Sequence, residues 1–199
     1  TNYSYSQPAN FQLNCGNTIL QSGLSVLEAT ITPTGVIAGQ TYCVLDGPAS
    51  IIDSIQTLHN GTQIDELLNY SDIYNNYLNW SQSSSQYATK WESLMNITTP
   101  DNYANVGGNQ VNLIQAGVFV STKIFMPLLG GVFSCPYLDT RAMNGQFQIS
   151  IRWRNPSLAF STDGAVIANF NYTVSNLRLH TQQLELDSSQ YALITKLRS

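Results

Sequence analysis

The run Ile51-Ile52-Asp53-Ser54-Ile55-Gln56-Thr57-Leu58-His59-Asn60-Gly61-Thr62-Gln63-Ile64-Asp65-Glu66-Leu67 decides the fold class. Aliphatic and β-branched residues recur up to His59, and Asn60-Gly61 then interrupts them. That dipeptide is the strongest short hairpin signal, because both of its residues tolerate a positive φ. The stretch therefore reads as a strand, a two-residue turn and a return strand over 63–67,.

Working outward, Phe11-Gln12-Leu13 and Leu24-Ser25-Val26-Leu27-Glu28-Ala29-Thr30-Ile31 predict two early strands, separated and closed by Gly16, Gly23, Pro33 and Gly35,. Beyond the hairpin the pattern changes. Tyr70, Ile73, Tyr74, Tyr77 and Leu78 follow helical spacing, so short helices or an ordered excursion are expected over 70–95, with an irregular loop over 98–108,. Strands resume at 117–125 and at Gln146-Phe147-Gln148-Ile149-Ser150-Ile151-Arg152-Trp153, whose period of two follows Asn144-Gly145,. A further stretch, 168–174, leads through Ser175-Asn176 into 177–180, and Asp187/Ser188 is a capping candidate for a closing helix,. About eight strands with one helical excursion imply an all-β, antiparallel two-sheet sandwich of jelly-roll or related Greek-key type. One domain is expected over 1–199, with the excursion at 70–108 and short helices there and near the C-terminus,.

Composition narrows the function classes. Charged residues make up 10% of the 199-residue chain, against roughly 25% in ordinary soluble domains. Its surface is built instead from Asn, Gln, Ser, Thr and Tyr, which lowers the like-charge repulsion and the desolvation cost when copies meet. A net charge of −4 argues against a phosphate-coating surface,. The one basic cluster is Arg152 and Arg154, which alternation places on one face of a strand with Trp153 on the other,. No membrane span is expected, since no stretch reaches the roughly 20 apolar residues a span needs. The opening Thr1-Asn2-Tyr3-Ser4-Tyr5-Ser6 has neither the basic nor the apolar part of a signal peptide,. A processed product, a trimmed piece or one domain of a longer protein all fit such a start. Six Asn-x-Ser/Thr sequons, at Asn2, Asn60, Asn69, Asn79, Asn96 and Asn171, are what a chain rich in these residues generates by chance.

The residues needed for chemistry are sparse. His59 and His180 are the only histidines, each at a strand end and read as ordinary turn or edge residues, and no nucleophile motif or metal-ligand spacing accompanies them,. Cys15, Cys43 and Cys135 are too widely spaced for a zinc motif and read as buried free thiols,. Asp65-Glu66 and the Asp46/Asp53 pair read as exposed charges flanking turns. No enzyme, metal or cofactor is expected. The aromatic set Tyr70, Tyr74, Tyr77, Trp80, Tyr87 and Trp91 admits core packing, subunit contact or a sugar-stacking platform,.

The order of segments carries a resemblance. Asp46-Gly47-Pro48-Ala49-Ser50-Ile51-Ile52, then 55–62, then Ile64-Asp65-Glu66-Leu67-Leu68-Asn69-Tyr70 resembles the first roll of the double jelly-roll major capsid proteins of double-stranded DNA viruses and related virus-like elements. Phe125-Met126-Pro127-Leu128-Leu129-Gly130-Gly131-Val132-Phe133 looks like that family's Pro-Leu/Gly block. The likeness continues through Tyr137-Leu138-Asp139, 143–151, 172–179 and Leu184-Glu185-Leu186-Asp187. The chain departs from the family by stopping where a second roll is expected. A first half of a longer chain, a separately encoded roll and a single-roll protein all fit. The resemblance implies a virion protein that self-assembles into trimeric capsomers of an icosahedral shell, with neighbouring capsid subunits and minor capsid proteins as partners. It also implies an excursion, 70–108, used in intersubunit or outer-surface contact. The competing reading is an extracellular or viral glycan-binding, lectin-like sandwich.

Overall fold

The computed structural model describes residues 2–13, 18–35, 42–44, 48–81, 112–115, 118–119, 122–139, 146–162 and 170–198. Twelve strands are defined among them: β1 Tyr3–Ser4, β2 Ala9–Leu13, β3 Thr18–Thr34, β4 Tyr42–Val44, β5 Ile52–His59, β6 Thr62–Leu68, β7 Asn112–Gln115, β8 Val118–Phe119, β9 Thr122–Pro127, β10 Phe147–Trp153, β11 Phe160–Thr162 and β12 Asn171–Glu185. Three helices accompany them, α1 Tyr70–Ser81, α2 Pro156–Ala159 and α3 Ser188–Arg198, with 3-10 turns at Pro48–Ile51 and Gly131–Ser134.

Among the described residues all strand pairings are antiparallel. One sheet has the order β1-β12-β3-β9, a second β2-β10-β5-β6, and a smaller third β11-β4-β7-β8. The two larger sheets share one core. Leu27, Ala29, Ile31, Ile124, Met126, Tyr172 and Val174 come from the first, and Ala9, Leu13, Ile55, Phe147, Ile149, Ile151 and Trp153 from the second. Alternation explains these sets, because every second residue of a strand faces the opposing sheet.

The Asn60-Gly61 turn forms as expected, with φ 51° and 77° and His59 paired with Thr62. These values suit the turn type whose twist matches the flanking strands. By contrast, β3 runs through both Gly23 and Pro33, although its register on β12 shifts around Gly23, between the pairs Gln21–Gln182 and Val26–His180. Its ladder to β12 extends from Thr18 to Thr34, while its ladder to β9 covers only Val26 to Ile31. Among the described residues, Pro33 is therefore paired on the β12 side only, where a missing N–H is tolerated,. Ser175-Asn176 is likewise no break. Asn176, at φ 49°, occupies a bulge between Ser175 and Arg178, and β12 continues to Glu185,. Of the strand expected over 117–125, 118–119 lie in β8 and 122–125 in β9, while 117, 120 and 121, like the Asn144-Gly145 turn, lie outside the described residues.

One buried phenol ties the two main sheets together. Tyr172 of β12 donates to the Arg154 carbonyl at 2.5 Å and lies 3.3 Å from that of Ile51. Burial pushes its pKa up, so it remains a donor through the accessible pH range,. The Ile51 carbonyl also accepts the Arg154 N–H at 2.8 Å, so Tyr172→Phe strands chiefly the Arg154 carbonyl. Tyr172→Phe should cost about 1–2 kcal/mol in urea denaturation; an unchanged midpoint would show that the bridge contributes nothing.

Candidate intersubunit surface

Helix α1 begins where β6 ends. Asn69 takes φ 51° and its carbonyl accepts the N–H groups of Asp72 (3.1 Å) and Ile73 (3.3 Å), turning the strand into the helix. From the other side Arg154 reaches over. Its guanidinium donates to the Ser71 hydroxyl and lies 3.6 Å from the Asp72 carboxylate. β10 ends at Trp153 after a bulge at Arg152/Trp153, so Arg152 stays exposed while Arg154 turns onto the helix start. The two arginines thus do not form the shared face that alternation predicts.

Among the expected aromatic residues, Tyr70 and Tyr74 are fully buried, their ring centroids 5.7 Å apart. The Tyr70 hydroxyl accepts the Leu129 N–H at 2.9 Å, and burial raises its pKa. Tyr77 instead lies on the surface, 48% exposed, beside Ile73 at 44%. Trp80 belongs to α1 with no side-chain placement described, and Tyr87 and Trp91 lie outside the described residues.

The Tyr70–Leu129 bond holds the segment 128–134 against the helix, and between them lies a groove of about 440 Å³. Its walls are Leu67, Ile73, Tyr77, Leu128, Leu129 and Phe133. Gly130 and Gly131 give the segment its path, with φ 78° and 54°. A Cβ at Gly130 would fall 1.9 Å from Leu67 Cδ1, and one at Gly131 2.0 Å from Asp65 Oδ2. The loop therefore passes close over β6 because no side chain stands in the way. Sequence reasoning named the Tyr side of this groove and the Gly-Gly block separately; only the fold brings them together.

The acidic pair Asp65-Glu66 lies within β6, half-buried, and does not flank a turn: Glu66 accepts from Gln56 and, at 3.1 Å, from Gln63. Asp53 is exposed in β5, and Asp46 lies outside the described residues. Cys135 is an exposed free thiol, not a buried one, because it follows the 3-10 turn at the surface. Cys43 lies in β4 with no side-chain burial described, and Cys15 is outside the described residues. His59 stacks on Phe147 at 4.8 Å, whereas His180 joins an ionic cluster that the sequence did not reveal. No group of three His, Cys, Asp or Glu side chains able to hold a metal occurs among the described residues, and none of their helices is long and apolar enough to cross a membrane.

That cluster centres on Glu28, buried on the face of β3 opposite Leu27 and Ala29. Lys123 of β9 lies 2.6 Å from one carboxylate oxygen and His180 of β12 2.6 Å from the other. Lys123 Nζ also stands 4.9 Å over the Phe125 ring,. The hydrogen bond from Lys123, then that from His180, holds the Glu28 carboxyl below the usual range against opposing desolvation,.

No family model and no curated protein matches the chain. Solved structures do, and they define the class: a jelly roll, as expected from the sequence. Over 96% of its length the chain is similar to a chain of the quasi-atomic model of the PBCV-1 virus capsid, at 14% identity and a TM-score of 0.50. It is similar over the same 96% to PBCV-1 VP54, fitted into a cryo-EM reconstruction of the virophage Sputnik, at 13% identity and a TM-score of 0.52. The chain spans 41% of the length of each of those chains. At such identity the likeness is one of fold.

A lowered folded pKa makes Glu28 stabilising above the ordinary carboxylate range, and that contribution fades as pH falls through the lowered value,. Glu28→Gln should be less stable than the native chain near neutral pH, with the gap narrowing on acidification. Denaturation midpoints at about pH 7 and about pH 3 would check this; an equal gap at both would exclude the ionic cluster as its source.

Proposed function

We propose that this chain is a non-enzymatic building block of a virus capsid. Residues 1–199 form one roll that associates with copies of itself into trimeric capsomers of an icosahedral shell, which places the protein in the virion. The observation carrying this reading is the shared jelly roll with the PBCV-1 capsid structures over 96% of the chain. A chain with only 10% charged residues supports it, as do large exposed apolar side chains such as Leu24, Ile64, Leu68 and Leu158,.

In this reading Ile73 and Tyr77, on the outer side of α1, meet a neighbouring subunit, together with Trp80, Tyr87 and Trp91 further along the 70–108 excursion. Tyr70 and Tyr74 hold that helix to the body from within. Minor capsid proteins are further partners, and the acidic balance leaves genome contact to other components,.

The full-length native protein should sediment as stable trimers or larger particles and show capsomers or shells by electron microscopy. A persistent monomer would overturn the proposal. So would specific binding on a glycan array without self-assembly, the outcome expected of a lectin-like module.

A further inference from the structure

Two charged clusters of this chain are built as inverses of each other. On the outer face of the first sheet a carboxylate lies beneath cations. Glu28 is 6% exposed, whereas Lys123 and His180, bonded to it from β9 and β12, keep 55% and 51% of their side chains in solvent. Arg178 is the register partner of Glu28 on β12 and is exposed on the same face. With Glu28 offsetting only one of Lys123 and Arg178, the outward surface is positive. Phe125, half-buried with Lys123 Nζ over its ring, adds an aromatic surface beside it.

At the start of α1 the order is reversed. Arg154, with 16% of its side chain exposed, is the buried member, and Asp72, 3.6 Å from its guanidinium, is 51% exposed. Asp53 is exposed on β5, two residues beyond the Ile51 carbonyl that accepts the Arg154 N–H. Its carboxylate acts, after burial, to raise the Tyr172 phenol bonded to the Arg154 carbonyl, which puts it beside the same arginine. Two carboxylates around one guanidinium leave this surface negative. Other acids are committed within the chain: Glu66 accepts from Gln56 and Gln63, and Asp187 caps α3. No ion pair among the described residues joins the two clusters.

We propose that these clusters are the two halves of one contact between copies, in which the Lys123–Arg178–His180 face of one chain receives Asp53 and Asp72 of the next. The contact rests on the self-association proposed above and names a surface through which it runs. Charge complementarity identifies the occupant, and Ile73, exposed next to Asp72 on the outer side of α1, meets Phe125 as the charges meet. Opposite charges at such a contact speed encounter and set its orientation. Two different patches meet, so the interface is heterologous. Passed from copy to copy about a three-fold axis, it closes into a ring.

The test treats a mixture of unlabelled and nitrogen-15-labelled copies of the full-length protein with a carbodiimide, which joins an amine to a carboxylate without a spacer. Mass spectrometry should find Lys123 joined to Asp53 or Asp72 in mixed-isotope pairs. Raising salt from about 0.1 M to about 1 M, which shortens the screening length from about 10 Å to about 3 Å, should lower that yield about tenfold. Asp53→Asn, at an exposed position, should lower the Lys123–Asp72 yield about threefold. Links of Lys123 confined to Glu28 or to single-isotope pairs, links to other acids only, a yield indifferent to salt, or no link at all would overturn the contact. Electron microscopy of the same sample separates the two proposals. Trimers or shells without this cross-link sink the charged contact alone, and the cross-link in samples that never build capsomers sinks the capsid reading alone.

Discussion

The β3–β12 ladder is the constraint on which the rest depends. It pairs residues from Asn171 with Thr34 to Glu185 with Thr18, joining segments from opposite ends of the chain. Everything else is attached to it. β9 is registered on β3, β1 on β12, and the Tyr172 hydroxyl reaches from the ladder to the segments at Ile51 and Arg154 that lead into and out of the second sheet. A ladder of such sequence separation forms only after a large loop-closure cost, and its length is the physical answer to that cost, since each added pair repeats the gain without repeating the closure.

The same ladder explains where charge is placed in a chain that has little of it. Glu28 sits on the ladder's outer face between a Lys from one neighbouring strand and a His from the other, so one carboxylate satisfies both neighbours of a three-stranded surface. Such a cross-strand set contributes register as well as energy, because a one-residue slip would carry Glu28 into the core. Elsewhere, neutral hydrogen bonds do the same work: the Ser22 hydroxyl donates to the Cys135 carbonyl and Ser50 to that of Ala159.

What the sequence revealed followed distance along the chain. The Asn60-Gly61 hairpin, the Asp187 cap and the helix beginning at Tyr70 are each decided within a turn or two of backbone, and each formed where local chemistry placed it. Gly23, Pro33 and Ser175-Asn176 carry equally strong local signals of interruption, yet the strands continue through all three, with irregularities in the ladder at Gly23 and at Ser175-Asn176 only,. Periodicity located α1 but not which rings would be buried, since that depends on segment 128–134 folding over the helix; Tyr70 and Leu129 meet across 59 residues. The Glu28–His180 pair spans 152 residues and has no local signature at all. The candidate site was thus half legible: its residue types could be read, but their meeting could not.

That division bears on how a weakly charged surface achieves specificity. Apolar patches alone associate without direction, and a surface with few charges cannot reject wrong partners by repulsion. Shape has to supply the discrimination. The groove has walls fixed from three sides, by the Tyr70–Leu129 bond, by the hold of Arg154 on Ser71 and Asp72, and by two positive-φ glycines packed over β6. If the proposed self-association uses it, a recess held so firmly in advance loses little entropy on binding, which is where a rigid surface gains affinity over a mobile one. The strongest restraints on α1 therefore lie on its inner side, and their consequence is a defined outer one.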